Sequence, residues 1–404
     1  MKSGFKNLLK EHALYPQEAL APVKKNKYAL YIGIPKEMEP TENRVSLTPE
    51  SVSILVNNGN EVIIETGAGM GAKYSDREYS DAGATIVYTA KEVYSADIIL
   101  KIDPPTKAEL NFMRAGQTLF SALQMAKLTG EYLDDIAKRK INALAYEFIE
   151  DKAASRPIVR AMSEICGSTV MLIAGEYLNS VNNGKGIILG GITGVPPTKV
   201  VIIGAGTVAE YATRSAIGLG AEVKVFDNHI YKLRRLKQSV NQQVYTSVID
   251  TNILSEALKD ADVVIGALRS EDGTCECVVS EEMVASMKAN SVIIDVSIDQ
   301  GGNFATSEMS THKNPVYTKY DVIHYCVPNM ASRVARTATM AFSNIVTPLL
   351  LQISKHGGVE ETFFAKRWLM HGVYAYKGTL TNLALARKYN KAYKDISLLI
   401  AAMN

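Results

Sequence analysis

The stretch VVIIGAGTVA, residues 200–209, constrains the fold of this chain more than any other feature. Its apolar residues predict a buried strand, and the glycines after them predict a tight turn into a helix. Gly204 allows the turn, Gly206 lets the backbone approach a pyrophosphate, and Ala209 lets the helix pack closely on the strand. The start of the helix offers free N–H groups to phosphate oxygens. The pattern therefore predicts a dinucleotide-binding α/β unit.

Asp227 stands at the end of the next strand-like run, EVKVF at residues 222–226. It follows the glycine motif by about twenty residues, where a carboxylate accepts hydrogen bonds from ribose hydroxyls. A negative charge at that place repels a 2′-phosphate. The sequence therefore predicts NAD as the cofactor, rather than NADP.

Strand-like and helix-like runs alternate through both halves of the chain. The 404 residues exceed one ordinary core, so we expect two domains or three. Alternation of this kind predicts largely parallel sheets wound with helices. The predicted strands are residues 28–34, 61–65, 96–101, 118–121, 142–146, 200–203, 222–226, 263–266 and 291–295. The predicted helices are residues 49–56 with Thr48 as N-cap, 157–182, 337–352 and 379–388.

Composition narrows the range of partners. The formal net charge is +2 and the basic residues are scattered, which gives no electrostatic argument for nucleic acid. No apolar run approaches the ~20 residues of a membrane-spanning helix, so we expect no membrane segment. Four cysteines without a C-x-x-C pair predict reduced thiols, no metal site and a cytoplasmic location. Residues 1–27 lack the apolar core of a secretory signal and predict a short amphipathic helix and an arm that packs on the surface or on a neighbouring subunit.

Several blocks together resemble the alanine dehydrogenase family, which oxidises an amino acid with NAD. They occur in the family's order: IGIPKEMEPTENRVSLTPESV, ETGAGMGAKYSD, ADIILKIDPP, MSEICG, GKGIILGG, SIDQGG and YCVPNM. The N-terminal part of proton-translocating transhydrogenase shares several of them. The resemblance implies two Rossmann-like, doubly wound α/β domains with a cleft between them. It implies a substrate domain of residues 1–155 plus 333–404, an NAD domain of 156–332, and a homohexamer.

The resemblance also implies roles for individual residues. Arg44 matches the arginine that grips the substrate carboxylate, which suits a guanidinium fork. Lys101 matches a lysine that also contacts the small amino acid or 2-oxo acid. Asp299 matches the catalytic aspartate beside the nicotinamide. Lys232 resembles a residue near the adenosine ribose, and Asn329 matches a contact on the nicotinamide side.

One position departs from the family pattern. Gln124 stands where the family has a histidine that acts as catalytic acid and base, and an amide cannot exchange a proton near neutral pH. We therefore expect deamination of alanine to be weak or absent. His324 could enter the same cleft, although a histidine that supports its loop is the simpler interpretation. Two alternatives stay open: a non-catalytic or transhydrogenase-like paralogue that binds NAD(H) without deaminating alanine, and an oxidoreductase for another 2-amino or 2-oxo acid.

Overall fold

The computed structural model describes residues 28–124, 127–269 and 275–401, so the predicted N-terminal helix and arm lie outside the described residues. The strands are β1 (Tyr31–Ile34), β2 (Glu61–Glu65), β3 (Thr85–Val87), β4 (Ile98–Leu100), β5 (Thr118–Ser121), β6 (Asn142–Ala145), β7 (Lys199–Ile203), β8 (Glu222–Phe226), β9 (Tyr245–Ser247), β10 (Val263–Gly266), β11 (Val292–Asp295), β12 (Val316–Lys319), β13 (Val322–Tyr325), β14 (Val373–Tyr376) and β15 (Thr379–Leu380). The helices are α1 (Pro49–Asn57), α2 (Asp76–Asp81), α3 (Ala90–Val93), α4 (Lys107–Leu110), α5 (Gly130–Lys138), α6 (Pro157–Leu178), α7 (Thr207–Gly218), α8 (Ile230–Val240), α9 (Thr251–Lys259), α10 (Glu281–Ala285), α11 (Ala335–His356), α12 (Val359–Ala365), α13 (Arg367–Met370), α14 (Leu383–Lys388) and α15 (Ile396–Ala401).

The first sheet has eight strands in the order β15-β14-β6-β5-β4-β1-β2-β3. Strands β1 to β6 are parallel, while β14 and β15 join antiparallel at one edge. The chain winds outward from β1 in both directions, so the order reverses between β1 and β4. In open α/β sheets, ligands bind outside the carboxyl ends of the strands at such a switch point.

The second sheet has seven strands in the order β12-β13-β11-β10-β7-β8-β9. All neighbours are parallel except the edge pair β12 and β13. Its switch point lies between β7, which leads into the glycine motif, and β10. Both sheets are therefore doubly wound and Rossmann-like, as predicted from the alternation and the family resemblance.

Two long helices join the sheets. Early in α6, Ile158 and Met162 pack in a core of the first sheet, whereas Val170 and later residues pack in a core of the second. Helix α11 comes after β13 in the chain, and Phe342 in this helix packs in the same core of the first sheet as Ile158. Helix α6 therefore packs against both sheets.

Alternating side chains give each sheet two apolar faces, because successive residues of a strand point to opposite sides. Val200 and Ile202 of β7 pack against α6 and α7, while Val201 and Ile203 pack on the opposite face. In β4, Ile98 and Ile99 divide in the same way between the two cores of the first sheet. Helices on both faces therefore cover the sheets, which explains the continuous apolar runs in the sequence.

Three predictions need correction. The run predicted as one helix over residues 379–388 forms β15 and then α14, because Lys377 and Gly378 turn the chain back with φ of 47° and 84°. The helix predicted over 157–182 ends at Leu178. The expectation that no segment is long and apolar enough to span a membrane was wrong. By length and composition alone, Pro157–Leu178 and Met330–His356 are both long and apolar enough, and 39% and 50% of their most apolar stretches are buried inside the protein.

The predicted division into residues 1–155 plus 333–404 and 156–332 stays a prediction. The first sheet takes β1 to β6 from before α6 and β14 and β15 from after α11. The second sheet takes all its strands from between those two helices.

Candidate active site

The glycine motif forms the turn between β7 and α7. Gly204 has φ of 109°, and a Cβ there would lie 2.4 Å from the carbonyl oxygen of Ala267, so only glycine fits. Gly206 is different, because its φ is ordinary and a Cβ there would meet nothing within 4 Å. Within the part of the chain that the structure describes, no side chain caps the start of α7 at Gly206. Ala209 is fully buried against β7.

Asp227 follows β8 and is 1% exposed. Its Oδ2 accepts a 2.7 Å hydrogen bond from the Ala205 N–H, inside the glycine turn, and its Oδ1 accepts one of 2.7 Å from the His229 N–H. A carboxylate has about four acceptor positions, so capacity remains for hydroxyl groups. Asp227 thus holds the turn in shape and presents its remaining acceptors beside it. The open space at Gly206, the uncapped helix and this carboxylate fit a dinucleotide.

Lys232 lies in the first turn of α8 and is half-buried. Its ammonium lies 5.9 Å from the centre of the Tyr231 ring. Sequence reasoning missed a second cation here: the guanidinium of Arg235 donates 3.3 Å to the carbonyl of Ala205 in the glycine turn. An arginine one helical turn after Lys232 was the available signal.

A cavity of about 310 Å³ opens at the carboxyl ends of β1, β4 and β5. This is the switch point of the first sheet, and the volume suits a small molecule. The polar residues that line it are Glu37, Glu39, Lys101, Asp103, Thr106, Gln124, Lys127, Thr129 and Tyr132. Arg44 is not in the wall, but it lies close enough to Asp103 for their charges to interact.

Lys101 ends β4 and is 1% exposed. Its ammonium lies 2.9 Å from a Glu109 oxygen and 3.1 Å from a Glu37 oxygen. Burial alone would lower the pKa of Lys101, but the two carboxylates outweigh it and raise that pKa. Burial raises the pKa of Glu37 to about 7, against the opposing effect of Lys101. Lys101 is therefore a fixed positive charge whose ammonium has two of its donors occupied by protein.

Arg44 and Glu42 form a bidentate pair. The Arg44 Nε lies 2.7 Å from Glu42 Oε1 and Nη2 lies 2.5 Å from Oε2. The Glu42 side chain is fully buried and that of Arg44 is 12% exposed. The Asn329 amide donates 2.8 Å to Glu42 Oε2, which ties the loop after β13 to the loop after β1. Asn329 adopts φ of 58°, in the left-handed region.

Gln124 sits in the loop after β5 with φ of 48°. Glu147 holds this turn, because its Oε1 accepts hydrogen bonds from the Leu123 and Gln124 N–H groups at 2.8 and 3.0 Å. The Gln124 side-chain amide donates to Asp103 Oδ1. Burial raises the pKa of the Glu147 carboxyl, and Glu147 Oε2 is buried with no hydrogen-bond partner among the described residues.

Asp299 lies in a short 3-10 turn after β11. The Asp299 side chain is exposed to solvent. The surrounding protein nevertheless desolvates its carboxyl enough to raise its pKa, and the charge of Arg269 opposes that rise. The charges of Arg44 and Asp299 both act on the buried thiol of Cys166 in α6, whose pKa burial raises to about 11. The structure therefore brings Arg44 of the first sheet and Asp299 of the second to one region.

His324 does not enter this region. It lies in the middle of β13, fully buried, with Nε2 2.8 Å from the Thr306 hydroxyl and Nδ1 2.9 Å from the Val322 carbonyl oxygen. Because a carbonyl only accepts, Nδ1 carries the proton and Nε2 accepts from Thr306. Burial lowers the pKa of His324, and its ring stacks on Tyr317 with centres 5.0 Å apart. The idea that His324 could supply the missing base was wrong, and the supporting role fits.

Sequence reasoning missed most of the acidic groups around the cavity. The missed residues are Glu37, Glu42, Asp103, Glu109 and Glu147, with Arg269 and His312 on the side of the second sheet. His312 lies near Asn329 and Glu42, and its Nε2 is buried with no hydrogen-bond partner in the described ranges. Asp103 stood two residues after Lys101 at a strand end, where an acidic residue is a usable signal.

Comparisons with known proteins agree with this geometry. Family models match residues 33–166, as the alanine dehydrogenase/PNT N-terminal domain, and 170–383, as its C-terminal domain. Alanine dehydrogenase of Methanococcus maripaludis is 39% identical over 369 residues, covering 90% of this chain and 98% of that protein. Alanine dehydrogenase 2 of Staphylococcus aureus is 37% identical with the same coverage.

Solved structures give the same result. An L-alanine dehydrogenase superposes with a TM-score of 0.83 at 34% identity, covering 89% of this chain and 99% of that one. A transhydrogenase from Sinorhizobium meliloti superposes with a TM-score of 0.75 at 23% identity, covering 87% of this chain and 99% of that one, which shows the shared fold alone. From the family models and the identity over nine tenths of its length, the chain belongs to the alanine dehydrogenase/PNT family.

Proposed function

We propose that this protein is an NAD-dependent alanine dehydrogenase, which converts L-alanine, NAD and water to pyruvate, ammonia and NADH. The observation that carries the proposal is the similarity to proteins named alanine dehydrogenase over 90% of the chain and 98% of those relatives. The cavity at the switch point of the first sheet supports it, because its size and its mixture of cations and carboxylates suit a small zwitterion.

Three residues bind and orient the substrate in this proposal. Arg44 would donate to the substrate carboxylate while Glu42, which pairs with its Nε and Nη2, holds the guanidinium in place. Lys101 lines the cavity and adds a fixed positive charge. Asp299 binds the amino group from the side of the second sheet. Fixing the α-carbon in this way reduces the entropic part of the barrier.

NAD is the proposed cofactor, and its nicotinamide supplies the hydride acceptor when bound. Gly204, Gly206 and the start of α7 would hold the pyrophosphate, Ala209 lets that helix pack close to the strand, and Asp227 would hold the ribose. Lys232 would lie on the adenosine side. Asn329 would lie on the nicotinamide side, since the loop after β13 reaches the site through Glu42.

We further propose that the chain assembles with copies of itself, as a hexamer by family resemblance. Apolar side chains stand exposed on α6 and in the loop after it: Leu172, Val181, Ile188, Ile192 and Val195. Single exposed apolar residues are ordinary, but a concentration of them indicates a covered surface. The four free cysteines fit the reducing, cytoplasmic location that we propose.

A second candidate is an NAD(H)-binding paralogue without deaminase activity, or an enzyme for another 2-amino or 2-oxo acid. The observation that favours it is Gln124 at the family's histidine position. Steady-state formation of NADH from alanine, and its consumption with pyruvate plus ammonia, tests the two candidates. Turnover supports the dehydrogenase, whereas NADH binding without turnover of either pair supports the paralogue.

A further inference from the structure

Hydrolysis of the imine that hydride loss creates requires a group that takes a proton from water. Gln124 cannot do so, because a carboxamide neither gains nor loses a proton near neutral pH. We propose that Asp103 is the catalytic residue that exchanges this proton with the substrate. This inference rests on the proposed function and deepens it, since it concerns the same cavity.

Position is the first argument. Asp103 follows β4 at the switch point, lines the cavity and is 7% exposed. Lys101 lies two residues before it, and Arg44 lies within electrostatic reach. The carboxylate of Asp103 thus stands among the positions that the family resemblance assigns to substrate binding.

Gln124 supplies the second argument. Its side-chain amide donates to Asp103 Oδ1, and Glu147 accepts a hydrogen bond from its backbone N–H, which holds the turn that carries this donor. A fixed donor on one carboxylate oxygen orients the other oxygen. In this arrangement the residue at the histidine position does not transfer the proton; it positions the group that does.

The surrounding charges are the third argument. Burial raises the pKa of Asp103 to about 6. The charge of Glu42 on the β1 loop contributes to this rise, while Arg44 of that loop, Lys127 and Lys101 oppose it. Glu37 lies near the same carboxyl, and the charge of Asp103 contributes to the raised pKa of Glu37. A carboxyl with a pKa near the working pH is well suited to accept and return a proton.

Asp103 carries one proton at a time through the proposed step. Hydride loss from the neutral amine leaves an iminium, with one positive charge on nitrogen. The Asp103 carboxylate removes a proton from water as the water oxygen bonds to the α-carbon and the C=N pair moves to nitrogen, which gives a neutral carbinolamine. Asp103 then returns the proton to nitrogen, and the C–N bond breaks so that ammonia leaves. The hydroxyl oxygen forms the carbonyl and gives its proton to Asp103, which passes it to solvent.

The test compares Asp103→Asn, which keeps shape, with Asp103→Glu, which keeps the carboxyl. The control is Asp97→Asn, because Asp97 is an exposed aspartate that pairs with Arg114 on the same sheet. The kcat/KM for alanine is measured from pH 5 to 9, and NADH affinity by fluorescence. We expect Asp103→Asn to lower kcat roughly 10²–10⁴-fold and to remove the fall in rate below about pH 6, while the NADH affinity stays unchanged. Asp103→Glu should keep part of the rate, and its rate should again fall at acid pH, with the midpoint of that fall shifted.

A second readout does not depend on turnover. Calorimetry of pyruvate binding to the NADH complex, in buffers of different ionisation enthalpy, reports proton uptake. The proposal is supported if the natural chain takes up a proton near pH 6 and Asp103→Asn does not. An Asp103→Asn enzyme that still slows at acid pH, or that still takes up the proton, overturns it. If pyruvate neither binds nor turns over, the proposed function fails together with this inference.

Discussion

The Asn329 side chain donates a 2.8 Å hydrogen bond to Glu42, and the same carboxylate holds Arg44 in a bidentate pair. One buried carboxylate therefore links the loop after β13 of the second sheet to the arginine at the carboxyl end of β1. This link fixes the direction of the guanidinium before any substrate arrives. The pair therefore matters for both substrate binding and stability.

Replacement of Arg44 by lysine keeps the charge but removes the planar fork. We expect kcat/KM for alanine to fall roughly 10- to 100-fold, which corresponds to one charge-assisted hydrogen bond, mainly through KM. Arg44→Met should also lower the free energy of unfolding by about 3 kcal/mol, because Glu42 then remains buried without a counter-ion. Arg77→Lys on the exposed face of α2 is the matched control. An unchanged KM in Arg44→Lys would place the substrate carboxylate elsewhere.

Asp227 should set the choice between NAD and NADP. Titration of NADH and NADPH by fluorescence should show tighter binding of NADH to the natural protein. Asp227→Asn keeps the acceptor for the glycine turn but removes the charge, and Asp227→Ala removes both. We expect the preference to shrink roughly tenfold in either variant, or about 1.4 kcal/mol. Asp250→Asn, at the cap of α9, serves as control. Tighter binding of NADPH by the natural chain would contradict the argument.

His324 should affect stability and not the chemistry. The variant His324→Phe keeps the stack on Tyr317 but leaves the Thr306 hydroxyl and the Val322 carbonyl without their partner. We expect unfolding to become easier by about 1–3 kcal/mol, measured in urea, and the shape of the pH profile to persist. The opposite result, normal stability with an altered pH profile, would mean that His324 takes part in the chemistry.

The pKa of Glu37 gives a prediction about stability against pH. Its value in the folded state is about 7, above the ordinary 4.5, so the folded protein binds this proton more tightly than the unfolded chain. The stabilisation is full below about pH 4.5 and is lost as the pH rises through about 7, with each pH unit between those two values removing roughly 1.4 kcal/mol. Glu37→Gln should flatten this fall, whereas surface Glu256→Gln should leave it. An equally steep fall in Glu37→Gln would mean that other groups cause it.

Local patterns predicted much of the fold. The strand before Gly204 and the strand at residues 222–226 were found because apolar runs and glycine turns depend on nearby residues alone. The antiparallel hairpins were missed, because Tyr320 and Asp321 or Lys377 and Gly378 form their left-handed turns without the usual asparagine–glycine signal. The resemblance predicted Arg44, Lys101 and Asp299 by register. It could not predict Asp103, since burial and the hydrogen bond from Gln124 arise only when β4 and β5 lie side by side.

The most direct test compares the natural protein with Gln124→His by NADH formation from alanine across pH. From Gln124 alone, the sequence predicts little activity and a large gain in the variant. With Asp103 as the proton acceptor, we instead expect the natural chain to turn over alanine, with a rate that falls below about pH 6, and Gln124→His to change kcat less than tenfold. Two results together would contradict the account. The natural chain would bind NADH but form none from alanine, and Gln124→His would raise kcat 10²-fold or more, with a rate that changes with pH between about 6 and 8.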